Sequence, residues 1–340
     1  MIHDEELDAA VDAGVIDHAN AVALREWLAE RRGAAGEPTG PDEEQFRLVS
    51  SFNDIFVVIA ASLLLMALSS IGEAQSAWLG SALAAIGAWL LAEFFVRRRH
   101  MALPAIMLLA VFVGGVFGTG YRVVEIAGGQ FAANMLTGSA AAVFGALLHW
   151  YRFKVPLTIA AGVGAAVSTG FALLLYFFPD FSALATTYIF ASGVGVFVLG
   201  FKWDASDTAR QTRRSDVAFW LHVLAAPLLV HPVFSALGAT ADSITLAKAA
   251  AIFAVYLVIG LVSLAIDRRA LMVSALGYVL YAFTNLLDGS GSVSLSFAAT
   301  ALAVGSGLLL LSAFWHGCRR FALLLLPEPL AARVPAPQTP

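Results

Sequence analysis

The sequence predicts an all-α fold, a polytopic membrane bundle of about ten transmembrane helices with a short cytoplasmic N-terminal helical hairpin. Three observations predict it. Of 340 residues, 59% are hydrophobic and 13% charged, with a mean hydropathy of +0.80. A soluble domain carries about 25% charged residues and has no surface that could hide so much apolar side chain. From Phe52 onward the apolar residues fall into ten runs, each close to the ~20 residues that cross roughly 30 Å of hydrocarbon. Lys and Arg between those runs then gather on alternate sides, as the positive-inside rule requires of a multi-pass chain.

The N-terminal residues 4–32 read as two short amphipathic helices. Gly14 closes the first as a C′ residue, and Asp17 caps the second, on which Ala21, Leu24, Trp27 and Leu28 make one apolar stripe. Helices this short have no independent core, so they dock on the membrane body, on a partner or on a second copy. "GAAGEPTGPDEE" (33–44) reads as a linker. The spans follow near 53–71, 76–96, 101–121, 131–150, 155–178, 183–201, 217–237, 247–266, 270–287 and 293–315.

Thirteen Lys/Arg fall on one face, in "RRRH" (97–100), "RFK" (152–154), the 202–216 loop, "DRR" (267–269) and "CRR" (318–320). The other face carries only Arg122 and Lys248, with Glu73, Glu125, Asp180, Asp242 and Asp288. The expected location is therefore a bacterial inner membrane with both termini cytoplasmic. "FALLLLP" (321–327) is too short to span and reads as interfacial, ahead of a Pro-rich disordered tail. The domains are thus a hairpin (1–32), a linker (33–51), a ten-span domain (52–316) and an interfacial segment with tail (317–340).

"LDAAVDAGVIDHANAVALREWLAERR", followed by a linker and "SFNDIF" at the first span, resembles the bacterial predicted membrane proteins called domain of unknown function 2157. That resemblance implies a soluble helical segment joined to a multi-span body, and implies no activity. Ten spans with both ends inside also resemble the five-plus-five drug/metabolite transporters, although the second half does not echo the first.

"RRSDVAFWLHVLAAPLLVHPVF" (213–234) holds the groups most costly in hydrocarbon, His222, His231, Pro227 and Pro232. Nine residues at about 100° each put the two histidines on opposite faces of a straight helix. The prolines remove donors to the Val223 and Leu228 carbonyls, which predicts a kink or a short unwound piece of the kind that forms midplane sites in transporters. Packing by neutral His and proline kinks explains the same residues without a site.

Elsewhere, Glu93 reads as an i,i+4 partner of Arg97, and Arg122 as an i+3 partner of Glu125 or a cation at an outward vestibule. Gly114 and Gly118 suggest a close helix approach. Tyr278, Tyr281 and Asn285 share a face, as do Asn134 and Thr137, and such stripes either line a water path or bond between helices. His149 reads as interfacial. Trp150, Tyr151, Trp203 and Trp315 read as an aromatic belt.

The chain has no H-E-x-x-H, P-loop, G-x-S-x-G or cysteine pair, and His316 with Cys318 is a weak metal pair, so no enzyme, cofactor or metal is expected. The lone Cys318 excludes an intramolecular disulfide, and a net charge of −4 gives no sign of nucleic acid. The first functional expectation is a transporter of a small solute or proton through His222, Pro227 and His231, with Arg122 and Asn285 as further candidates. The second is a scaffold or sensor that binds a protein partner through residues 4–32 and the 202–216 loop.

Overall fold

From Phe52 the chain runs as a succession of helices whose ends fall where charge and turn residues interrupt the apolar runs. They are α1 (Phe52–Glu73), α2 (Ala77–Phe95), α3 (Ala102–Ile126), α4 (Phe131–Phe153), α5 (Leu157–Phe177), α6 (Ala185–Ala205), α7 (Arg213–Ala236), α8 (Leu246–Ile266), α9 (Ala270–Asp288), α10 (Val293–Ala313) and α11 (Trp315–Leu324), with a 3₁₀ turn at Pro179–Leu184. The computed structural model describes residues 11, 13–24, 52–208, 210, 212–239, 245–288, 293–324, 326 and 334. The chain divides into two units, residues 1–45 with Pro340, and 46–339.

Within the first unit, Gly14 has φ +68° and its N–H donates to the Val11 carbonyl at 2.9 Å, a C-terminal closure that only glycine makes without Cβ strain. Asp17 Oδ1 accepts from Asn20 N at 2.7 Å, capping the turn that begins at His18. Trp27, Leu28 and the 33–44 linker lie outside the described residues.

In the second unit all described regular structure is helical, and eight helices, α1 to α8, are long and apolar enough to cross a membrane. Consecutive helices from α1 to α7 pack on one another, and α7 also packs on α5 and α9. It is the central element: half of its most apolar window is buried, against 17–44% for the other seven. Lipid tails are as apolar as leucine, so close packing and hydrogen bonds hold such helices together, and small residues mark the seams. A Cβ on Gly115 would lie 2.8 Å from the Ser81 carbonyl, and one on Gly193 2.9 Å from the Leu228 backbone. The α2–α3 seam therefore runs through Gly115 and Gly118. Gly114, expected in that seam, faces open space.

α7 is helical throughout Arg213–Ala236, across both prolines. The unwound piece expected around 223–232 is absent, because each proline deletes one ladder bond and the packed neighbours hold the rest of the helix. The expected fifteen-residue connection between the sixth and seventh spans is also shorter, since α6 continues to Ala205 and α7 begins at Arg213.

Candidate functional site

Where α6, α7, α8 and α11 meet at the basic end of the bundle, Asp204, His222, Asp267, Arg268 and Arg319 are each at most 4% exposed. Burying a charge costs several kcal/mol unless it is paired and hydrogen-bonded, so the partners decide whether this cluster is stable.

Asp204 lies in the last turn of α6. Arg268 donates to it in fork geometry, Nη2 to Oδ1 at 2.7 Å and Nε to Oδ2 at 3.2 Å, and Nη2 also reaches the Ser215 carbonyl at 3.3 Å and its hydroxyl at 3.2 Å. Bidentate, charge-assisted bonds are the strong ones. Here one guanidinium ties the end of α6 to the start of α7. The opening of α7 is fixed locally, because Asp207 accepts from the Thr212 N–H and hydroxyl, and Thr212 Oγ1 accepts from Arg214 N.

Asp267 closes α8 in the left-handed region, at φ 59°. Its N–H donates to Leu264 O and that of Arg268 to Ser263 O, the paired bonds of a Schellman closure, with aspartate where glycine is usual. The Ser263 hydroxyl donates to the Arg268 carbonyl. The Asp267 carboxylate then accepts from Trp315 Nε1 at 2.9 Å and Arg210 Nη1 at 3.1 Å, and Arg319 Nε stands 3.4 Å away. A loop residue, a helix end and α11 thus converge on one carboxylate. Burial pulls the Arg210 guanidinium below its ordinary pKa, the Arg268 cation adds to this and Asp267 opposes it; an arginine so placed stays charged.

His222 faces this cluster from α7. It is fully buried, its Nε2 stands 3.4 Å from Asp204 Oδ2, and its ring meets Phe197 edge-on at 5.2 Å. His231 points the other way, as the 100° spacing requires. Its Nδ1 is 2.5 Å from the Tyr278 hydroxyl of α9. The structure therefore separates the two histidines, and Pro227, exposed between them, joins neither. Arg122 pairs with Glu125 at 3.4 Å, both half-exposed. Asn285 lies on α9, and its side chain is outside the described residues.

Other expectations change as well. Glu93 takes its main partner from α4: Arg152 donates through Nε at 2.6 Å and Nη2 at 2.7 Å, whereas Arg97 is at 3.4 Å. His149 is fully buried, with Nδ1 3.1 Å from the Thr158 hydroxyl and its ring among Trp89, Phe112 and Phe153. Trp315 is a buried donor to Asp267 and no part of an interfacial belt. Thr137 donates its hydroxyl back to its own helix, at Ala133 O and Asn134 O, so that proton makes no bond to another helix.

The charge cluster is what sequence reasoning missed. Asp204 and Asp267 in the basic connections were the available signal, because an acid among positive-inside residues serves no topological purpose. Among the described residues no group of three or more His, Cys, Asp or Glu could hold a metal ion. Set beside protein-family models, curated proteins and solved structures, the chain matches none of them.

Proposed function

We propose that this chain is a ten-span membrane protein that carries a small solute or proton, with its site at the basic end of α7, where His222 faces Asp204 and Arg268. The observation that carries the reading is the concentration of buried charge beside a buried histidine in an otherwise apolar bundle. Ionisable groups at such positions mark solute and proton paths, and His is the side chain whose charge changes most readily near neutrality. Arg268 and Arg210, bridging α6, α7 and α8 through two aspartates, close that end of the bundle and act as its gate. The apolar α9 and α10, of 19 and 21 residues, supply the ninth and tenth spans. The alternation of basic connections supports both termini on the cytoplasmic side of a bacterial inner membrane, and kinship with domain of unknown function 2157 belongs to the same proposal.

The test is flux in proteoliposomes, with solutes chosen by thermal stabilisation of the purified protein across a solute and pH panel. His222→Gln is expected to lower flux at least tenfold while helicity and monodispersity are retained. Unchanged flux in that folded variant removes His222 from the mechanism.

A second reading is a non-transporting scaffold or sensor. It is favoured by the internal partners of His231, Arg122 and His222, which let the spans simply pack. It predicts that deleting residues 1–40 abolishes copurification of a partner and leaves the bundle intact; retained partners would exclude it. In that reading the surface is residues 4–32 with the exposed Lys202, Arg213 and Arg214 of the 202–216 connection, from which Arg210 is withdrawn into the cluster.

A further inference from the structure

α2 and α4 both pack on α3 and leave a groove of about 470 Å³ between them. Its floor is the α3 stripe Phe112, Val116 and Thr119, and its walls are Ile86 and Leu90 on α2 and Ala141 and Leu148 on α4. Ile86 and Leu90 are 56% and 64% exposed, so the groove opens sideways. In a bilayer that side meets acyl chains.

Both walls run on into charge. Ile86, Leu90, Glu93 and Arg97 recur at four, three and four residues, which keeps them on one face of α2 and its continuation. Leu148 and Arg152 do the same on α4. At the basic end the Glu93–Arg152 fork, at 2.6 and 2.7 Å, ties the two walls together. Glu93 is the single acid against Arg97, Arg98, Arg99, Arg152 and Lys154 in the segments 93–100 and 152–154. Arg99 lies over Phe94 at 5.6 Å, and Lys154 over Trp150 and Tyr151 at 5.3 and 5.7 Å, the posture of long cationic side chains held at a headgroup layer. An apolar trough leading to a cationic rim complements one kind of occupant, an acyl chain carrying a negatively charged headgroup.

We propose that the α2–α3–α4 groove is a specific site for one anionic phospholipid. One acyl chain lies on Phe112, Val116 and Thr119, and the phosphate rests on the rim formed by Arg97, Arg98 and Arg152. The site rests on these helices standing in a bilayer, and it is independent of transport at α7. Its occupant bridges α2 and α4, which pack directly on α3, and so braces the first half of the bundle.

Full-length protein, purified in detergent and stripped of lipid, is titrated with micelles carrying phosphatidylglycerol or phosphatidylcholine. Native mass spectrometry counts bound lipid, and the thermal midpoint reports stabilisation. One phosphatidylglycerol is expected to remain bound under conditions that remove phosphatidylcholine, and raising the salt is expected to weaken it. An arginine beside an anionic lipid contributes on the order of fivefold, so Arg97→Gln with Arg98→Gln is expected to lower phosphatidylglycerol affinity by roughly 25-fold. Ile86→Trp fills the trough from an exposed wall and is expected to abolish binding, whereas Leu147→Trp, exposed on α4 outside the trough, leaves it unchanged. Equal retention of the two lipids, or phosphatidylglycerol binding that survives Ile86→Trp, would overturn the proposal. Should Ile86→Trp fail to fold, Leu90→Trp makes the same test, and the salt titration requires no variant.

Discussion

Replacing Arg268 with methionine keeps most of the side-chain volume and removes a guanidinium that joins α6, α7 and α8. Asp204, 4% exposed, would lose two charge-assisted bonds at 2.7 and 3.2 Å, and Ser215 would lose its guanidinium partner. Breaking a buried pair by removing one partner costs about 3–5 kcal/mol, because the remaining carboxylate stays buried with only His222, 3.4 Å away, beside it. At about 2.1 cal/mol/K per residue over 340 residues, each kcal/mol moves the midpoint by about 1.4 °C, so it should fall by about 4–7 °C. Removing both charges should cost far less: Asp204→Leu with Arg268→Met is expected within about 2 kcal/mol of the parent. The coupling between the two sites would then exceed about 2 kcal/mol. Thermal and SDS unfolding in detergent, with far-UV circular dichroism to establish folding, measures all four corners of the cycle. A single variant within about 1 kcal/mol of the parent, or additive effects in the double, would refute the buried fork as a brace.

Gly115→Leu should cost ~1–3 kcal/mol, since its Cβ would meet the Ser81 carbonyl at 2.8 Å, whereas Gly114→Ala, with open space around it, should be neutral or stabilising by up to ~1 kcal/mol; unfolding midpoints of the pair decide. His231→Ala and Tyr278→Phe should couple by about 0.6–1.7 kcal/mol in a double-mutant cycle, the range of interhelical hydrogen bonds in lipid. Pro227→Ala should hold or raise the midpoint, because α7 is already helical there and regains a donor to Val223; a fall would refute that account. His149→Ala leaves a void among Trp89, Phe112 and Phe153 and removes the partner of Thr158, so a loss of ~2–4 kcal/mol is expected from the same unfolding measurement.

Helix positions were legible because hydropathy is local. The run read at 76–96 is the helix Ala77–Phe95, and that read at 131–150 is Phe131–Phe153. The Asp17 cap, the Gly14 closure and the Arg122–Glu125 pair were legible for the same reason, since each joins residues at most three apart. Partners far along the chain were not. Local spacing pairs Glu93 with Arg97, four residues away, although Arg152, fifty-nine away, makes the better bonds. By position and type His149 and Trp315 read as interfacial, and both are buried by neighbours that no window of sequence contains.

The same division holds for the candidate site. The sequence alone put a membrane-length span at 217–237 and, for a straight helix with its 100° step, the two histidines on opposite faces, leaving a kink or an unwound piece between them open. Tertiary structure decided what those faces touch. It put α7 at the centre of the bundle, brought His222 to Asp204 and His231 to Tyr278, and folded Arg210, Arg268 and Arg319 inward around two aspartates. Residue type sets the cost of burying a charge, but only the packed helices fix whether its partner lies within ion-pair reach, and that distance separates a solvated loop cation from a buried member of the cluster.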